Sequence, residues 1–423
     1  MTTFPPPGFR RFWAGEAVSG LGTYAALLAL QTLVVLDLGG GPTETGWLSA
    51  ARWLPYLLLG LVVGALVDRV RRRPVMVVTD VVRALLLGLV PVAWATGVLT
   101  LPLLLAVVVA YGAASLVNDA ASMSFLPRLV PRGQLQRAHA RIDGADAVAQ
   151  TAGPALGGVL ARAVGAPLAL LTASLGYLVS AVAVLTLRTE EPAGSPRGGG
   201  ARRLRREVAE GVRWIYGASG LRRLAVATHL WFAANAVLVV VLAPFALRQL
   251  GLSAAVFGVV TAVAGLGALV GAVASTAVGR RLGTGGAIIA AHVSTVLGVL
   301  LTAAAVLPGT AVGAAVVLAA GQAFHGVGLG TSNSHEMTYR QAITPDAMQA
   351  RTNTTMRSLN RAVVVVVSPL AGLLAVQVGQ VAALLVAAAV FTASVLALLF
   401  SPVRTARIEE GEGPGAAHEA DDG

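Results

Sequence analysis

The sequence contains no cysteine and no lysine, and it is short of charge altogether. Without cysteine there are no disulfides and no thiolate metal sites. Every one of the 31 cations is an arginine, and charged residues make up only 12% of the chain, against roughly 25% in a soluble domain. A soluble protein so poor in charge would have nothing with which to cover its surface. Also missing are H-E-x-x-H, G-x-S-x-G and G-x-x-x-x-G-K-[ST], and the polar loops are too short for a soluble catalytic domain. The chain is therefore not expected to be an enzyme, needs no cofactor or metal, and gives no support to ATP-driven transport. The net charge of +11 would suit nucleic acid, but the arginines sit in short loops between apolar runs, which points to a membrane instead.

What is present is apolar sequence. Of 423 residues 56% are hydrophobic, and the mean hydropathy is +0.76. Stretches of about 20 apolar residues are what a bilayer span requires. Twelve can be drawn: 12–37, 43–67, 74–98, 101–125, 138–162, 166–188, 222–248, 253–278, 286–307, 310–334, 352–376 and 380–401. The expected organisation is all-α and integral to the membrane, with a six-helix bundle over 1–188, a cytoplasmic connector at 189–221, a second bundle over 222–403 and a disordered acidic tail at 404–423. The opening MTTFPPPGFRRFW runs straight into the first span, so no cleaved leader is expected. The connector ends on a short amphipathic helix, REVAEGVRWIYG.

Arginine placement sets the topology. With the N-terminus inside, the internal segments hold Arg10, Arg11, Arg69, Arg71 to Arg73, Arg128, Arg132 and Arg137. They also hold nearly all the connector arginines, then Arg280, Arg281, Arg340, Arg351, Arg404 and Arg407. The external segments hold only Arg162 and Arg248. Both ends are therefore expected in the cytoplasm, in a multi-pass protein of the cell membrane. The halves repeat: FRR at 9–11 is echoed by LRR at 221–223. Pro131, Gln136, Pro154, Gly158 and Gly165 are echoed by Pro345, Gln349, Pro369, Gly372 and Gly379. Two pseudo-symmetric six-helix bundles from one ancestral unit are a known transporter architecture.

Two motifs carry mechanism. GLVVGALVDRVRRRP, residues 60–74, closes the second span. It resembles the G-x-x-x-D-R-x-G-R-R motif between helices 2 and 3 of the major facilitator superfamily, with Gly64, Asp68, Arg69, Arg72 and Arg73 matching. Arg71 stands where the family has a glycine. The resemblance implies a conformational latch in which Asp119, on the fourth span, completes the charge cluster; for Arg71 and Arg73 the positive-inside bias is the favoured explanation, and for Asp68 and Arg72 the latch is. On the fifth span, Gly144 is followed by Gly153, Pro154, Gly157 and Gly158. This resembles the antiporter motif of proton-coupled drug exporters in that superfamily. Proline removes a helix hydrogen bond, and the glycines permit close packing, here expected against the region of Pro369 and Gly372. FRRFWAGEAVSGLG, LSAARWLP and FLPRLVPRGQLQRAHA extend the similarity to the bacterial drug:proton antiporter branch that includes macrolide and enterobactin exporters. Val109 occupies the place where many drug antiporters carry an arginine. VGRRLGTGG at 278–286, the second-half copy of the loop motif, lacks the Asp.

Ionisable groups inside spans are costly, about 2.5–3.5 kcal/mol each, and so are functional suspects. The proton-coupling candidates are Glu16, Asp143, Asp146 and His325. A carboxyl in an apolar cavity can take a proton from one side and release it on the other. Asp143 and Asp146 are also explained by a helix N-terminus, His325 by a hydrogen-bonded core histidine, Arg52 by snorkelling, and His229 by solvation at the interface. The family's cavity is lined by helices 1, 4, 7 and 10, which implies Ser19, Tyr24, Gln31, Asn118, Phe232, Asn235 and Gln322. The resemblance implies proton-driven efflux of an amphipathic small molecule by a monomer in the lipid bilayer. An uptake symporter, or a sensor or scaffold, is the alternative.

Overall fold

Pro7, Pro42, Pro102 and Pro167 lie in the first turns of their helices, where a missing N–H costs nothing. Left-handed glycines stand between many of the helices. The computed structural model describes residues 6–67, 70–187, 201–217 and 220–408. Its helices are α1 (Pro7–Thr32), α2 (Pro42–Val67), α3 (Arg72–Ala95), α4 (Leu101–Leu129), α5 (Leu135–Val164), α6 (Ala166–Leu185), α7 (Ala201–Tyr216), α8 (Leu221–Pro244), α9 (Ala254–Ala304), α10 (Ala311–Ile343), α11 (Asp346–Val378) and α12 (Gln380–Leu399). No strand occurs among the described residues. Gly283, with φ +74°, breaks α9 into two spans, and α7 is the amphipathic connector helix. Among the described residues nine helices are long and apolar enough to cross a membrane. The second half of α9, with α2 and α5, completes the expected twelve.

Hydropathy ended the fourth and tenth spans at 125 and 334, but α4 runs on to Leu129 and α10 to Ile343. At their other ends α5 and α11 begin at Leu135 and Asp346, earlier than the apolar stretch did. The backbone hydrogen-bond ladder does not stop where hydrocarbon stops, so polar turns continue these helices beyond the apolar stretch.

The repeat is written into the backbone. α1 ends in a π-turn, Leu33–Asp37, and α8 in another, Phe245–Gln249. Each closes with an i→i+5 bond, Leu38 N–H to Leu33 O at 3.0 Å and Leu250 N–H to Phe245 O at 2.9 Å. Gly39 and Gly251, and Gly97 and Gly309, are left-handed pairs 212 residues apart. Gly165, between α5 and α6, and Gly379, between α11 and α12, have φ of 90° and 87°.

The chain forms two compact units. The first holds the described residues of Met1–Gly199, Val240–Gly265 and Ser368–Val376, and the second those of Gly200–Val239, Leu266–Val367 and Gln377–Gly423. In the first, α1 packs on α5 and α6, and α3 and α4 pack on each other, α3 also on α6 and α4 on α2. Its core runs from Leu33, Leu87, Leu104 and Leu170 to Phe9, Phe12, Met76 and Phe125. The second unit has cores around Leu221, Ile288 and Leu398 and around Ile215 and Met356. Leu85, Leu175, Val182, Val273, Val312 and Val366 all stay more than half exposed, as side chains facing lipid do.

Within the first unit one glycine contact is made twice. A Cβ at Gly258 of α9 would meet Pro154 O of α5 at 2.5 Å, and one at Gly158 would meet Ala254 O at 2.4 Å. Its repeat is α2 against α11: Gly46 meets Ser368 O at 2.5 Å, and Gly372 meets Pro42 O at 2.4 Å. Backbones this close are what small residues in membrane helices permit. The expected partners were the Pro154 and Pro369 segments. Instead the symmetry pairs α5 with the start of α9 and α11 with the start of α2, while Gly153 and Gly157 pack on Leu21, Tyr24 and Ala25 of α1.

Candidate functional site

Asp80 and Arg83 share a face of α3 at i,i+3 and form a buried ion pair. Asn118 of α4 donates to Thr79 Oγ1 at 2.8 Å and to Asp80 Oδ1 at 3.2 Å, and Ser180 of α6 lies against the same carboxylate. The Arg83 guanidinium stands 4.2 Å over the Tyr177 ring, a cation–π contact. The Tyr177 hydroxyl meets Tyr111 at 2.6 Å and Thr23 of α1 at 2.7 Å. Glu16 of α1, half-buried, accepts from Ser122 Oγ of α4 at 3.3 Å, within electrostatic reach of Arg83, Asp80 and Asp119. Four helices thus converge on one polar cluster in an apolar bundle. The cluster joins a fixed cation to a fixed and a half-exposed carboxylate.

The second unit has its own. Glu336 of α10 accepts from Thr228 Oγ1 of α8 at 3.0 Å, from Ser332 Oγ on its own helix, and from His292 Nε2 of α9 at 3.1 Å. His292 Nδ1 meets Ser394 Oγ of α12 at 2.7 Å. A carboxylate only accepts, so Nε2 carries the proton in that bond. Nearby, Trp231 stacks on His325 with centroids 6.0 Å apart, and Phe391 and Phe232 meet the Trp231 ring edge-on. His325 is buried, and the described residues give its Nδ1 no hydrogen-bond partner. It sits in an aromatic slot rather than in the expected hydrogen-bonded core setting.

The other expected residues are placed as follows. Asp68 and Arg69 lie outside the described residues; Gly64 is in α2, and Arg72 is buried at the start of α3. Arg73 donates to Val184 O at 3.2 Å and to Leu185 O, so it caps the last carbonyls of α6. Asp119, expected at the inner end of its helix, stands ten residues short of that end because α4 is longer than its apolar run. It accepts from Tyr56 Oη of α2 at 2.7 Å. Asp143 and Asp146 are exposed, and Asp146 accepts from Tyr24 Oη at 3.3 Å. Among the described residues nothing stands within 4 Å of a Cβ at Gly144, so the first glycine of that motif faces open space.

Among the expected cavity residues, Gln31, Phe232 and Asn235 are half-buried. Ser19 is buried and donates to Glu16 O at 3.1 Å. Asn118 and Gln322 turn inward instead, Asn118 to the Asp80 cluster and Gln322 to Thr302 Oγ1 at 3.4 Å; a buried amide needs partners, and helix neighbours supply them. His229 is half-buried, and both its ring nitrogens are engaged: Tyr216 Oη meets Nε2 at 2.5 Å and Asn360 Oδ1 meets Nδ1 at 2.7 Å. Arg52 lies 5.1 Å from the Trp53 ring centre.

Asp80, Arg83, His292 and Glu336 are not among the site residues expected from the sequence. The first three were legible as ionisable residues inside spans. Glu336 lies two residues beyond the apolar stretch, in the polar extension of α10.

Comparison with known proteins agrees with this architecture. The Major Facilitator Superfamily profile matches residues 12–352. The multidrug efflux pump Tap of Mycobacterium tuberculosis is 29% identical over 201 residues, 46% of this chain and 47% of that protein. The uncharacterized MFS-type transporter YfiS of Bacillus subtilis is 30% identical over 156 residues, 37% of this chain and 36% of that one. The chain thus spans less than half the length of the curated relatives it matches. Among solved structures, the nucleoside transporter NupG superposes with a TM-score of 0.76 at 12% identity, over 93% of this chain and 98% of that one. A bacterial homologue of the iron transporter ferroportin gives 0.69 at 17%, over 92% and 98%. At such identities these structures speak for the fold alone. With the matched profile over most of its length, twelve spans and a repeated six-helix plan, the chain belongs to the Major Facilitator Superfamily and is a multi-pass membrane protein.

Proposed function

We propose that the chain is a proton-coupled exporter of a hydrophobic or amphipathic small molecule, working by alternating access from the plasma membrane with both termini in the cytoplasm. The observation that carries the reading is Glu16. It is a half-buried carboxyl on α1 of an apolar bundle, tied to α4 through Ser122 and electrostatically to Asp80 and Arg83. Such a group is expensive inside a membrane and is kept where it moves charge. The G-P-x-x-G-G contacts of α5 and the partial similarity to the efflux pump Tap favour export over uptake. Few buried charges and an aromatic slot around Trp231 suit an amphipathic cargo better than a sugar phosphate.

The latch reading keeps Gly64, Asp68, Arg69, Arg72 and Asp119 as its members. Arg73 has a separate task at the end of α6. Asp68→Asn is expected to leave folded protein in the membrane and to slow transport; full-rate transport by that variant would remove the latch.

The test of the whole is transport by purified protein in liposomes with an imposed pH gradient, followed with a pH-sensitive dye during addition of amphipathic drugs and siderophores. Substrate-dependent proton release is expected, and lost in Glu16→Gln with substrate binding kept. Proton uptake in the same direction as substrate would make the chain a symporter. Silence across the panel from folded protein would count against drug export.

A further inference from the structure

The two polar clusters are copies of one another. Asp80 on α3 and His292 on α9 stand 212 residues apart, as do Glu16 on α1 and Thr228 on α8. Ser180 and Ser394, Asn118 and Ser332, and Ser122 and Glu336 stand 214 apart, the offset of Gly165 and Gly379. In each unit the third helix of the repeat places an ionisable group between a serine of the sixth helix and a polar residue of the fourth. In each, a carboxylate bridges the first and fourth helices to a hydroxyl on the other side.

The differences between the copies matter most. The carboxylate has crossed over, from Glu16 on the first helix to Glu336 on the fourth. The cation has changed its nature. Arg83, which cannot lose its proton, corresponds to Thr295, a buried residue bonded to its own helix. Asp80 corresponds to His292, which can lose one. A cluster with a permanent cation has been exchanged for one whose charge depends on a proton.

We propose that Glu336 and His292 form a second proton-binding site of the transporter. It deepens the reading of proton-coupled export and rests on it for its role, though not for its existence. Loaded, the pair holds one proton more than a carboxylate with a neutral imidazole, and its net charge is zero. Unloaded, the proton has left to water, the imidazole is neutral, Glu336 is ionised and the net charge is −1. The proton belongs to the pair and not to either side chain.

The surroundings suit this role. α8 offers Thr228, while the adjacent His229 is engaged by Tyr216 and Asn360. α10 offers Ser332 and, one turn on, Arg340, which acts on Glu336 electrostatically and is itself opposed by Arg357 of α11. α12 offers Ser394 alone. Among the described residues the ion-pair partner of Glu336 is His292. Among the described residues no permanent cation pairs directly with the carboxylate to fix its charge, and three hydrogen-bond donors hold it in place for either state.

The first test needs no substrate. Infrared pH-difference spectra of the full chain in detergent are expected to show a buried carboxyl that titrates. Glu336→Gln should abolish that signal, Glu336→Asp should keep it displaced, and His292→Gln should shift its midpoint by about tenfold or more in proton concentration. The second test is transport in liposomes. Glu336→Gln is expected to lose gradient-driven transport about tenfold or more while keeping substrate exchange at equal pH, which moves no net proton. A carboxyl signal unchanged in Glu336→Gln overturns the site, and so does unchanged gradient-driven transport. A wild-type protein that shows the signal but moves no proton with any compound would leave the site standing and remove the export reading. If Glu336→Gln does not fold, Glu336→Asp and His292→Gln decide: an unmoved midpoint in both overturns the pairing.

Discussion

A single buried side chain matters most where its partner cannot follow it into water. Asp80 and Arg83 are both nearly inaccessible, and removing one leaves the other uncompensated, at a cost of about 3–5 kcal/mol. Asp80→Ala is therefore expected to lower the melting temperature in detergent far more than the double replacement Asp80→Leu with Arg83→Met. Equal losses would show that the pair contributes only as volume. The sequence displayed this pair openly, since two charges three residues apart in an apolar span can hardly face anything but each other. What it did not display was the third dimension. Asn118 reads as a cavity residue from its helix number, and only the packing of α3 on α4 turns it toward Asp80. Arg73 likewise reads as part of a loop motif, and its service to the carbonyls of α6 depends on a contact more than a hundred residues away in sequence.

Helices meet here through glycine, and the glycines of one motif are not alike. Gly158 and Gly372 each stand 2.4 Å, by way of an added Cβ, from a backbone oxygen of the opposing helix, while Gly144 faces open space. Backbone cannot yield as a flexible side chain can. Gly158→Leu and Gly372→Leu are each expected to reduce transport about tenfold or more, and Gly144→Ala to leave it within error. A transport assay on the three variants separates packing from a motif-wide requirement. The connector helix α7 docks by similar means. Glu210 pairs with Arg351 at 2.7 Å, and a Cβ at Gly211 would stand 2.4 Å from Thr355 Oγ1. Glu210→Ala should cost little, about 0.2–1 kcal/mol for a partly exposed pair. Gly211→Val should lift α7 and speed trypsin cleavage at its arginines. Equal cleavage in both variants would mean that the glycine contact is not what holds the helix. The spans themselves were legible because hydrocarbon demands about 20 apolar residues. Their polar extensions were not, because a helix needs only its hydrogen bonds to continue, and Glu336 lies in one such extension.

Across the molecule, the arginine pattern and the absence of cysteine combine into a direct test of topology. Single cysteines can be introduced with no native thiol to remove. Thr96→Cys and Leu307→Cys are expected to react with a membrane-impermeant maleimide in intact cells, and Arg281→Cys and Thr405→Cys only after permeabilisation. The reverse pattern would invert the protein in the membrane. The twofold plan was visible in the sequence as echoes of Pro131, Pro154 and Gly165. The clusters built on it were not, since the repeat kept its backbone and its hydroxyls and exchanged its charges.

The π-turns that end α1 and α8 bear on how such a machine can move. A π-turn is a helix carrying one spare residue, and the spare can be handed along the chain by trading one i→i+5 bond for its neighbour. Each hand-over turns the residue it passes by roughly 100° about the helix axis, since one turn holds 3.6 residues, with the helix length nearly unchanged. Leu33–Asp37 and Phe245–Gln249 thus give the first helix of each repeat a bearing in which its far end can rotate without unwinding.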